Sequence, residues 1–566
     1  MAGIQGIVSH SLQFEGTLLL NSISQYPANC FVDNVAMLEH AVLGRRVLNK
    51  FLNDRIFVED ESLVLCYEGV QHSYPEEQFA RKVKDLYHEF GRDFISRVNG
   101  NFSCFVFDKK LRKLFVYTDH LATKPVYYAV RQDSFFFASE LKTITRWFTH
   151  FGISFGVNQE AAYYLASTGA MIGNLTLVDS VFRAMPGLCL EFDLDTRKLS
   201  LFNWFQFEKK QNQSITKSEA IEEIDRLMMK AVSNEWSKDK AYNLRHYALL
   251  SGGLDSRCNL LLAHEQKFRE VLTLTFSQSG SLDERIARKI ASSLGFEHVF
   301  RSLDNGNYLM NNVDEFIRSN DGLNSYIGSA HEYRAVEILN HQPYGLMHSG
   351  MIGDAVFGSF LMRLGEFKSK ISLVNQYDTS GLKEHYANRY NEDNLELYGF
   401  EQAIPNGALN GDRSENNFID IASPFYDRDL ISYCLTLPDA MRYGEAIYMD
   451  WFLKKHPVIS DFVWERAGIK PRSAHLTHFA FQIKRYKVAL MKKLGIDIVS
   501  MNPFELWLKH NKALPVYLEN VWNSEKYRLD KLDFAELIQE IYNQNNRYDR
   551  FQVITLLLAL KYHFEQ

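Results

Sequence analysis

The sequence predicts an α/β protein with two domains and a helical C-terminal region, and three observations support this fold class. Short segments rich in aromatic and β-branched residues, separated by turn residues, fill the chain to about residue 207, which is typical of strands. Beyond it, apolar strands alternate with amphipathic helices, as in a parallel sheet with helical connections. The final part is mainly helical, with a strong apolar face over residues 551–564.

The composition indicates an ordinary globular protein. The 566 residues are 46% hydrophobic and 23% charged, and the chain is long enough for at least two domains. The net charge of −6 argues against a broad nucleic-acid-binding surface. No apolar run approaches a membrane span, no secretory signal is visible, and the six cysteines form no C-x-x-C pair. We therefore expect a soluble cytoplasmic protein that binds neither membrane nor nucleic acid.

The first domain is predicted from its hairpins and from the break that follows them. Its clearest strands are 103–108, 113–117, 187–192 and 198–202. The polar stretch after Phe207 lacks a core pattern and precedes a predicted amphipathic helix over about 216–235. We place the domain boundary there, which gives domains of residues 1–207 and 208–566.

The second domain alternates between strand and helix patterns. The predicted strands are 247–250, 271–276, 298–303 and 346–348, and the predicted helices are 256–265 and 283–294. The order β-α-β-α-β is typical of a parallel sheet.

The most specific motif is S-G-G-L-D-S-R at residues 251–257, between a predicted strand and a predicted helix. Two glycines let the backbone approach a ligand closely, and the N–H groups at the helix start form an anion-binding nest. Ser251 and Ser256 add hydroxyl donors, whereas Asp255 repels phosphate unless a Mg²⁺ ion bridges the two. The Walker A pattern is absent, so transfer of a terminal phosphate is not implied. The motif predicts a nucleotide phosphate site.

This loop resembles the pyrophosphate loop of ATP-pyrophosphatases, and the flanking sequence resembles the asparagine synthetase superfamily. In the second domain the resemblance is carried by L-T-L-T-F-S at 272–277, the segment 281–298, S-G-M-I-G-D-A-V-F-G at 349–358 and I-A-S-P-F-Y-D at 421–427. In the first domain the matching segments are 98–108, 119–128, 137–142 and 185–187. The resemblance runs to about residue 475. It implies an N-terminal nucleophile-hydrolase-like αββα domain, followed by an ATP-pyrophosphatase-type synthetase domain with a parallel α/β sheet.

For the second domain, the resemblance implies an acyl-adenylate mechanism. A substrate carboxylate attacks the α-phosphorus of ATP, pyrophosphate leaves, and an amine or ammonia then displaces AMP to form an amide. Asp255 and Asp354 would hold Mg²⁺, and Leu250 and Phe276 would flank the adenosine. The residues expected to contact ATP or pyrophosphate also include Ser251, Gly252, Gly253, Ser256 and Gly350.

For the first domain, the resemblance implies lost chemistry. Glutamine-dependent members of the superfamily use a cysteine directly after the initiator Met as nucleophile, but this chain has Ala2, and a methyl group cannot attack an amide. The family's oxyanion-hole segment falls on Glu68 and Gly69, so a carboxylate stands where an oxyanion would form. The acidic residue that receives the substrate ammonium falls on Phe79. We expect a domain that is inactive as a glutaminase and retained for structure or docking.

Two positions near the carboxylate-activation site also depart from the family. The glutamate four residues before its P-F-L-D segment corresponds to Asp420, which would orient or deprotonate the amine. The lysine that stabilises charge on the α-phosphate falls on Lys470 or Arg466, and we favour Lys470 because it lies in a Gly-Pro-bounded loop. The β-lactam synthetase tyrosine aligns with Met351, which gives no support to tyrosine-assisted ring closure. The basic stretch 484–493 is interpreted as a solvated face.

The predicted function is an ATP- and Mg²⁺-dependent, AMP-forming amide ligase. The degenerate glutaminase domain is similar to that of the branch with β-lactam synthetases and lasso-peptide cyclases. Three alternatives stay open. One is a peptide or small-molecule cyclase that uses an intramolecular amine, and another is an enzyme that amidates a sugar acid or amino acid with ammonia. The third is a non-catalytic partner protein. A precursor peptide or a partner enzyme is left open as a further partner.

Overall fold

The computed structural model describes residues 3–13, 30–362, 395–543 and 547–565. Its strands are β1 (Gly3–Val8), β2 (Phe31–Leu38), β3 (Ala41–Leu48), β4 (Ile56–Glu59), β5 (Leu63–Gln71), β6 (Gly100–Asp108), β7 (Lys113–Thr118), β8 (Tyr127–Arg131), β9 (Ser134–Ala138), β10 (Phe182–Arg183), β11 (Leu188–Asp193), β12 (Lys198–Asn203), β13 (Arg245–Leu249), β14 (Val271–Ser277), β15 (Glu297–Ser302), β16 (Tyr344–His348) and β17 (Ile421–Ala422). The longer α-helices are α1 (Glu76–Phe90), α2 (Leu141–His150), α3 (Gln159–Thr168), α4 (Lys217–Ala241), α5 (Asp255–Glu265), α6 (Leu282–Leu294), α7 (Val313–Asn320), α8 (Ala330–Val336), α9 (Arg428–Thr436), α10 (Ala446–Lys455), α11 (Ala474–Lys493), α12 (Phe504–His510), α13 (Ala513–Glu525), α14 (Ala535–Asn543) and α15 (Arg547–Phe564).

Two antiparallel sheets form the first domain. Their strand orders are β10-β8-β9-β1-β3-β2 and β12-β11-β7-β6-β5-β4. Alternate side chains of both sheets, such as Leu43, Phe105 and Phe137, fill the core between them. Helix α1 packs Phe79 and Val83 against the outer face of the second sheet, and α2 covers the first sheet. The layer order is αββα, as expected.

Five parallel strands in the order β15-β14-β13-β16-β17 form the sheet of the second domain. Helix α4 begins at a capping box formed by Thr216 and Glu219. The chain passes from β13 to β14 on one side and places β16 on the other, so the strand order reverses between β13 and β16. Open α/β sheets bind ligands at the carboxyl ends of their strands, at such a switch point. The loops after β13 and β16 therefore mark the expected site.

The C-terminal helices pack against both domains. Helix α15 buries Phe551, Ile554 and Leu557 and lies against α3 of the first domain. The fold class is therefore confirmed: an αββα domain, a parallel α/β domain and a helical C-terminal region. The domain boundary at residue 207 stays a prediction, and it falls between β12 and α4. Among the described residues, none of the helices is both long enough and apolar enough to span a membrane.

The predicted elements of the second domain agree with the observed ones within about three residues, except for one helix. Helix α4 was expected to end near residue 235 but continues to Ala241. Its extra turn buries Trp236 and Asp239, because the helix runs on beneath β13 and β16. This burial depends on the neighbouring strands and is invisible in the helix sequence alone.

Candidate functional site

The S-G-G-L-D-S-R motif forms the connection between β13 and α5, as expected. The Ser251 and Ser256 hydroxyl groups lie 3.1 Å apart, and the backbone N–H of Gly253 donates to Ser251 Oγ at 3.1 Å. The N–H of Gly252 donates to the carboxylate of Asp283 at 3.0 Å. Arg257 is buried and donates to the carbonyl of Gly252 at 2.9 Å. These bonds hold the loop in a fixed shape with its N–H groups at the start of a helix, which suits an anion.

The loop after β16 lies directly against this motif. A Cβ atom on Gly350 would come within 2.1 Å of the backbone nitrogen of Ser256, and one on Gly353 within 2.6 Å of Asp255 Cγ. The backbone N–H of Asp354 donates to Asp255 Oδ2 at 3.2 Å. Glycine at both positions therefore permits the contact that brings the two aspartates together.

A third carboxylate, Glu445, joins Asp255 and Asp354, and sequence reasoning missed it. Burial, followed by the charges of Asp354 and Glu445, raises the pKa of Asp255 well above its usual range. Glu445 lies just before α10 with a φ of 61°, and neither its spacing nor its neighbours in the sequence mark it. Clustered carboxylate oxygens are hard donors of the kind that Mg²⁺ prefers, and a cation would relieve their repulsion. The donor type suits a divalent cation, but these three carboxylates are not among the described residues whose ligand atoms lie within 4.8 Å of one another.

The structure distinguishes Arg466 from Lys470, the two cations that the sequence left as candidates for one role. Arg466 donates from Nη1 to Glu445 Oε1 at 2.9 Å, and its guanidinium lies 4.9 Å from the ring centroid of Phe481. It is thus joined to the carboxylate cluster. Lys470 is exposed and, within the described ranges, makes no hydrogen bond or ion pair. The geometry favours Arg466, against the preference for Lys470 in the sequence analysis.

A further cation, Lys484, approaches the phosphate loop from α11. Its Nζ lies 3.3 Å from Glu465 Oε1, and the N–H of Glu465 donates to the carbonyl of Gly252 at 3.0 Å. A Cβ on Gly252 would lie 2.8 Å from the Cβ of Glu465. The interpretation of 484–493 as a solvated face is therefore wrong for its first residue, because α11 folds back onto the loop.

The expected adenosine-flanking residues lie at the edge of the sheet where β13 and β14 end. Leu250 directly follows β13, and its N–H donates to the carbonyl of Leu274 at 2.9 Å. Phe276 is near the end of β14, with its ring centroid 5.5 Å from that of His331. Both side chains are buried, with exposures of 2% and 6%. Their role toward adenosine stays a prediction.

Asp420 lies apart from this cluster, and its role in the amine step stays a prediction. It precedes β17, so it lies at the opposite end of that strand from the loops described above. Its carboxylate forms buried ion pairs with Arg55 and Lys124 of the first domain. Burial alone would raise the pKa of Asp420, but the charges of Arg55 and Lys124 outweigh it and hold the pKa below its ordinary value. A carboxylate in this state is a poor proton acceptor.

The first-domain positions are occupied by structural side chains. Glu68 is fully buried beside Arg55, with 3.4 Å between Oε2 and Nε, so the repulsion expected from its charge is offset. Gly69 has a φ of 148°, and a Cβ there would lie 2.0 Å from the carbonyl oxygen of Asn101. Phe79 is 0% exposed and packs edge-on against Tyr67. Ala2 lies outside the described residues.

One group of metal-ligand residue types occurs elsewhere in the described part of the chain: Asp239, His246 and His348. Asp239 Oδ2 lies 2.8 Å from a ring nitrogen of each histidine, and its other oxygen accepts the N–H of Leu346 at 2.8 Å. The ring of His348 stacks on Trp236 at 3.9 Å. These contacts are hydrogen bonds that fasten α4 to the sheet.

Two family models match the chain. Residues 71–204 match a glutamine amidotransferase domain, and residues 223–403 match asparagine synthase. The models fall on the αββα domain and on the parallel sheet with the phosphate loop. The chain is thus a two-domain protein with an amidotransferase-type and a synthetase-type unit. It belongs to the asparagine synthetase-like superfamily.

The relatives are distant. A protein of Methanocaldococcus jannaschii named as a glutamine-hydrolysing asparagine synthetase is 27% identical over 219 residues, which cover 36% of this chain and 41% of that protein. The Bacillus subtilis asparagine synthetase 2 is 24% identical over 259 residues, covering 42% and 34%. The chain thus spans about two fifths or less of their length. The glutamine phosphoribosylpyrophosphate amidotransferase of B. subtilis covers 53% of this chain and 81% of its own, with 11% identity and a TM-score of 0.25. That likeness adds nothing to the fold described above.

Proposed function

We propose that this protein is an ATP-dependent, AMP-forming amide ligase that adenylates a substrate carboxylate. The observation that carries the proposal is the contact between the Ser251–Arg257 loop and the loop of Asp354, at the switch point of a parallel sheet. Backbone N–H groups and two serine hydroxyls are arranged for an anion, and carboxylates for a cation lie beside them. The lack of a Walker lysine favours pyrophosphate over phosphate as the leaving group.

In the proposed reaction, a carboxylate oxygen of the substrate attacks the α-phosphorus of ATP, and the bond to the bridging oxygen of pyrophosphate breaks. Ser251, Gly253 and Ser256 would bind the departing pyrophosphate. Asp255 and Asp354 would hold a Mg²⁺ ion, which neutralises phosphate charge when bound. An amine nitrogen then attacks the acyl carbon, the bond from carbon to AMP breaks, and the amine loses its proton. Arg466 is placed to stabilise negative charge near the carboxylate cluster.

Glutamine is not the proposed source of nitrogen. Ala2 offers no nucleophile, and Phe79 is packed in an apolar core without a charge for a substrate ammonium. A free amine, an amine within the substrate, or ammonia would serve instead. A lactam or macrolactam cyclase therefore remains compatible with the site, as does a precursor peptide as its substrate. A non-catalytic partner protein is disfavoured because the phosphate loop and Asp354 are arranged together.

ATP–pyrophosphate exchange tests the proposal directly. The full-length protein is incubated with ATP, Mg²⁺, labelled pyrophosphate and a panel of carboxylic acids. We expect exchange that depends on the acid and AMP as the nucleotide product once an amine is added. ADP as the stoichiometric product would overturn the assignment of the loop. No exchange with any acid, together with no AMP, would favour the non-catalytic alternative.

A further inference from the structure

A cavity of about 410 Å³ lies beside the candidate adenylation site. One wall contains Met351, from the loop after β16. Another contains His331, whose ring contacts that of Phe276 near the end of β14. Gly169 of the first domain and Gln552 of α15 also line it. Both domains and the C-terminal helices therefore form this cavity, at the edge of the sheet where the phosphate loop lies.

Carboxyl groups dominate the charge of this cavity. Glu332 and Asp412 line it, and Glu415 is fully buried close to both. Burial, followed by the charge of Asp412, raises the pKa of Glu332 well above its usual range. Burial raises the pKa of Asp412 to about 7. Buried carboxyl groups are costly without a counter-charge, so their presence here needs a reason.

No cation of the described chain supplies that counter-charge. The shifts of Glu332 and Asp412 have no contribution from a lysine or arginine. The two closest arginines along the chain are engaged elsewhere. Arg413 pairs with Asp321, and Arg334 pairs with Glu337. A positive charge that pairs with these carboxyl groups would therefore have to come from outside the described residues.

Three buried side-chain oxygens that belong to residues lining the cavity also lack hydrogen-bond partners in the described part of the chain. Ser325 Oγ, Ser329 Oγ and Glu332 Oε1 have no hydrogen-bond partner among the described residues, although these residues are only 9%, 7% and 8% exposed. An unpaired buried polar atom is unfavourable, and a bound ligand with matching donors would relieve that cost. Three acceptor oxygens match the three N–H donors of a primary ammonium group.

The size of the cavity distinguishes an organic amine from ammonia. One water molecule occupies about 30 Å³ of liquid, and an ammonium ion is of similar size. Small-molecule pockets span about 300–1,000 Å³, and this cavity of about 410 Å³ lies in that range. A carbon skeleton attached to the ammonium group would fill the space that ammonia leaves empty.

We propose that this cavity binds the amine substrate of the ligase, an organic primary ammonium compound held by Glu332, Asp412 and the hydroxyls of Ser325 and Ser329. The inference rests on the amide-ligase function proposed above. It assigns to Glu332 and Asp412 the amine-orienting role that the sequence suggested for Asp420. Charge-assisted hydrogen bonds from an ammonium group to carboxylates are about twice as strong as neutral ones.

Calorimetric titration of the full-length protein with n-butylammonium tests this proposal. Matched probes are ammonium, which lacks the carbon chain, and n-butanol, which lacks the charge. We expect n-butylammonium to bind at least about tenfold more tightly than either, since loss of a charged hydrogen bond costs about 1.5–3 kcal/mol. Glu332→Gln and Ser329→Ala should each weaken n-butylammonium binding by about tenfold. Asp314→Asn, an exposed carboxylate of the same domain, should leave it unchanged.

The outcomes separate this proposal from the ligase function. Equal affinity for n-butanol and n-butylammonium, or unchanged affinity in both Glu332→Gln and Ser329→Ala, would overturn the amine site. If Glu332→Gln fails to fold by circular dichroism, Ser329→Ala decides alone. The same samples are assayed for ATP–pyrophosphate exchange. Acid-dependent exchange without selective amine binding would refute only the cavity assignment, and selective amine binding without exchange would refute only the ligase.

Discussion

The two domains differ in what the positions singled out by the family resemblance contact. In the first domain these positions point into the protein: Phe79 lies in an apolar core, and Glu68 pairs with a buried arginine. In the second domain, Asp255 and Asp354 are partly exposed beside loops whose polar groups face one another. The positions predicted to have lost their chemistry are buried in the first domain, whereas the positions proposed to act keep costly, like-charged neighbours. Electrostatic repulsion between like-charged groups is a better sign of function than the fold itself.

The contact between the domains gives the first domain a structural role, whether or not it has chemistry of its own. Lys238 of α4 reaches Asp54 at 3.1 Å and Glu76 at 2.8 Å. Asp321 accepts the N–H of Leu141 at 2.8 Å. Breaking such buried contacts leaves uncompensated charge or unpaired groups, which is strongly destabilising. The first domain thus supports the position of the second, and we interpret it as structural.

The largest effect is expected in the second domain, from its clustered carboxylates. Asp255→Asn and Asp354→Asn should each reduce ATP–pyrophosphate exchange by more than about 10³-fold, because loss of a cation ligand removes several kcal/mol of charge stabilisation. Stability should not fall for Asp255→Asn, since burial and the like charges of its neighbours already raise the pKa of Asp255. Asp461→Asn, at an exposed position, is the control. Exchange within tenfold of the wild type in both variants would show that the cluster is not catalytic.

The second effect concerns stability at the domain contact. Asp420→Asn should lower the free energy of unfolding by about 3–5 kcal/mol at neutral pH, because Arg55 and Lys124 lose their buried partner. Urea denaturation measures this loss, with the exposed Asp429→Asn as control.

The sign of the pH dependence follows from the lowered pKa of Asp420. The contribution of Asp420 to the free energy of unfolding is present above the pKa of an unfolded aspartate. It is lost as the pH falls through the folded-state pKa of Asp420. The stability difference between wild type and variant should therefore shrink in acid. Unchanged stability combined with slower amide formation would instead restore a catalytic role to Asp420.

The third effect distinguishes the roles of Arg466 and Lys470, which lie in one loop. Arg466→Gln should slow adenylation by about 10²-fold, as for loss of a transition-state charge partner, whereas Lys470→Gln should stay within about twofold of the wild type. Pyrophosphate exchange is the measurement. A slow Lys470→Gln enzyme beside a normal Arg466→Gln enzyme would return the role to Lys470.

The smallest effect is expected in the first domain, where the Ala2→Cys variant should gain no glutaminase activity. Ala2→Cys restores a thiol but neither an oxyanion donor at Glu68 nor a counter-charge at Phe79, and one missing donor alone costs about 10²–10³-fold in rate. We expect no glutamate release from glutamine in a coupled glutamate dehydrogenase assay. Release that keeps pace with ATP consumption would show that the glutaminase site is intact apart from residue 2.

The sequence by itself determined the class of the protein, because the relevant signals are local. The Ser251–Arg257 motif needs only a strand, a tight turn and a helix start, all of which are contiguous in the chain. The order of strands and helices likewise follows from period and spacing. Ala2 and Phe79 are predicted to be lost positions from their residue types and their alignment with the family's motifs.

Only the tertiary structure decided which charged groups meet. Asp420 and Lys470 fit the spacing, yet Asp420 pairs with Arg55, 365 residues away along the chain, and Lys470 faces solvent. Glu445, which no local pattern marks, pairs with Arg466, which was the second candidate from the sequence. Ser329 and Glu332, at the start of α8, and Asp412, from a distant segment, line one cavity. Burial and electrostatic coupling depend on the packing of distant segments, and no window of the sequence contains that information.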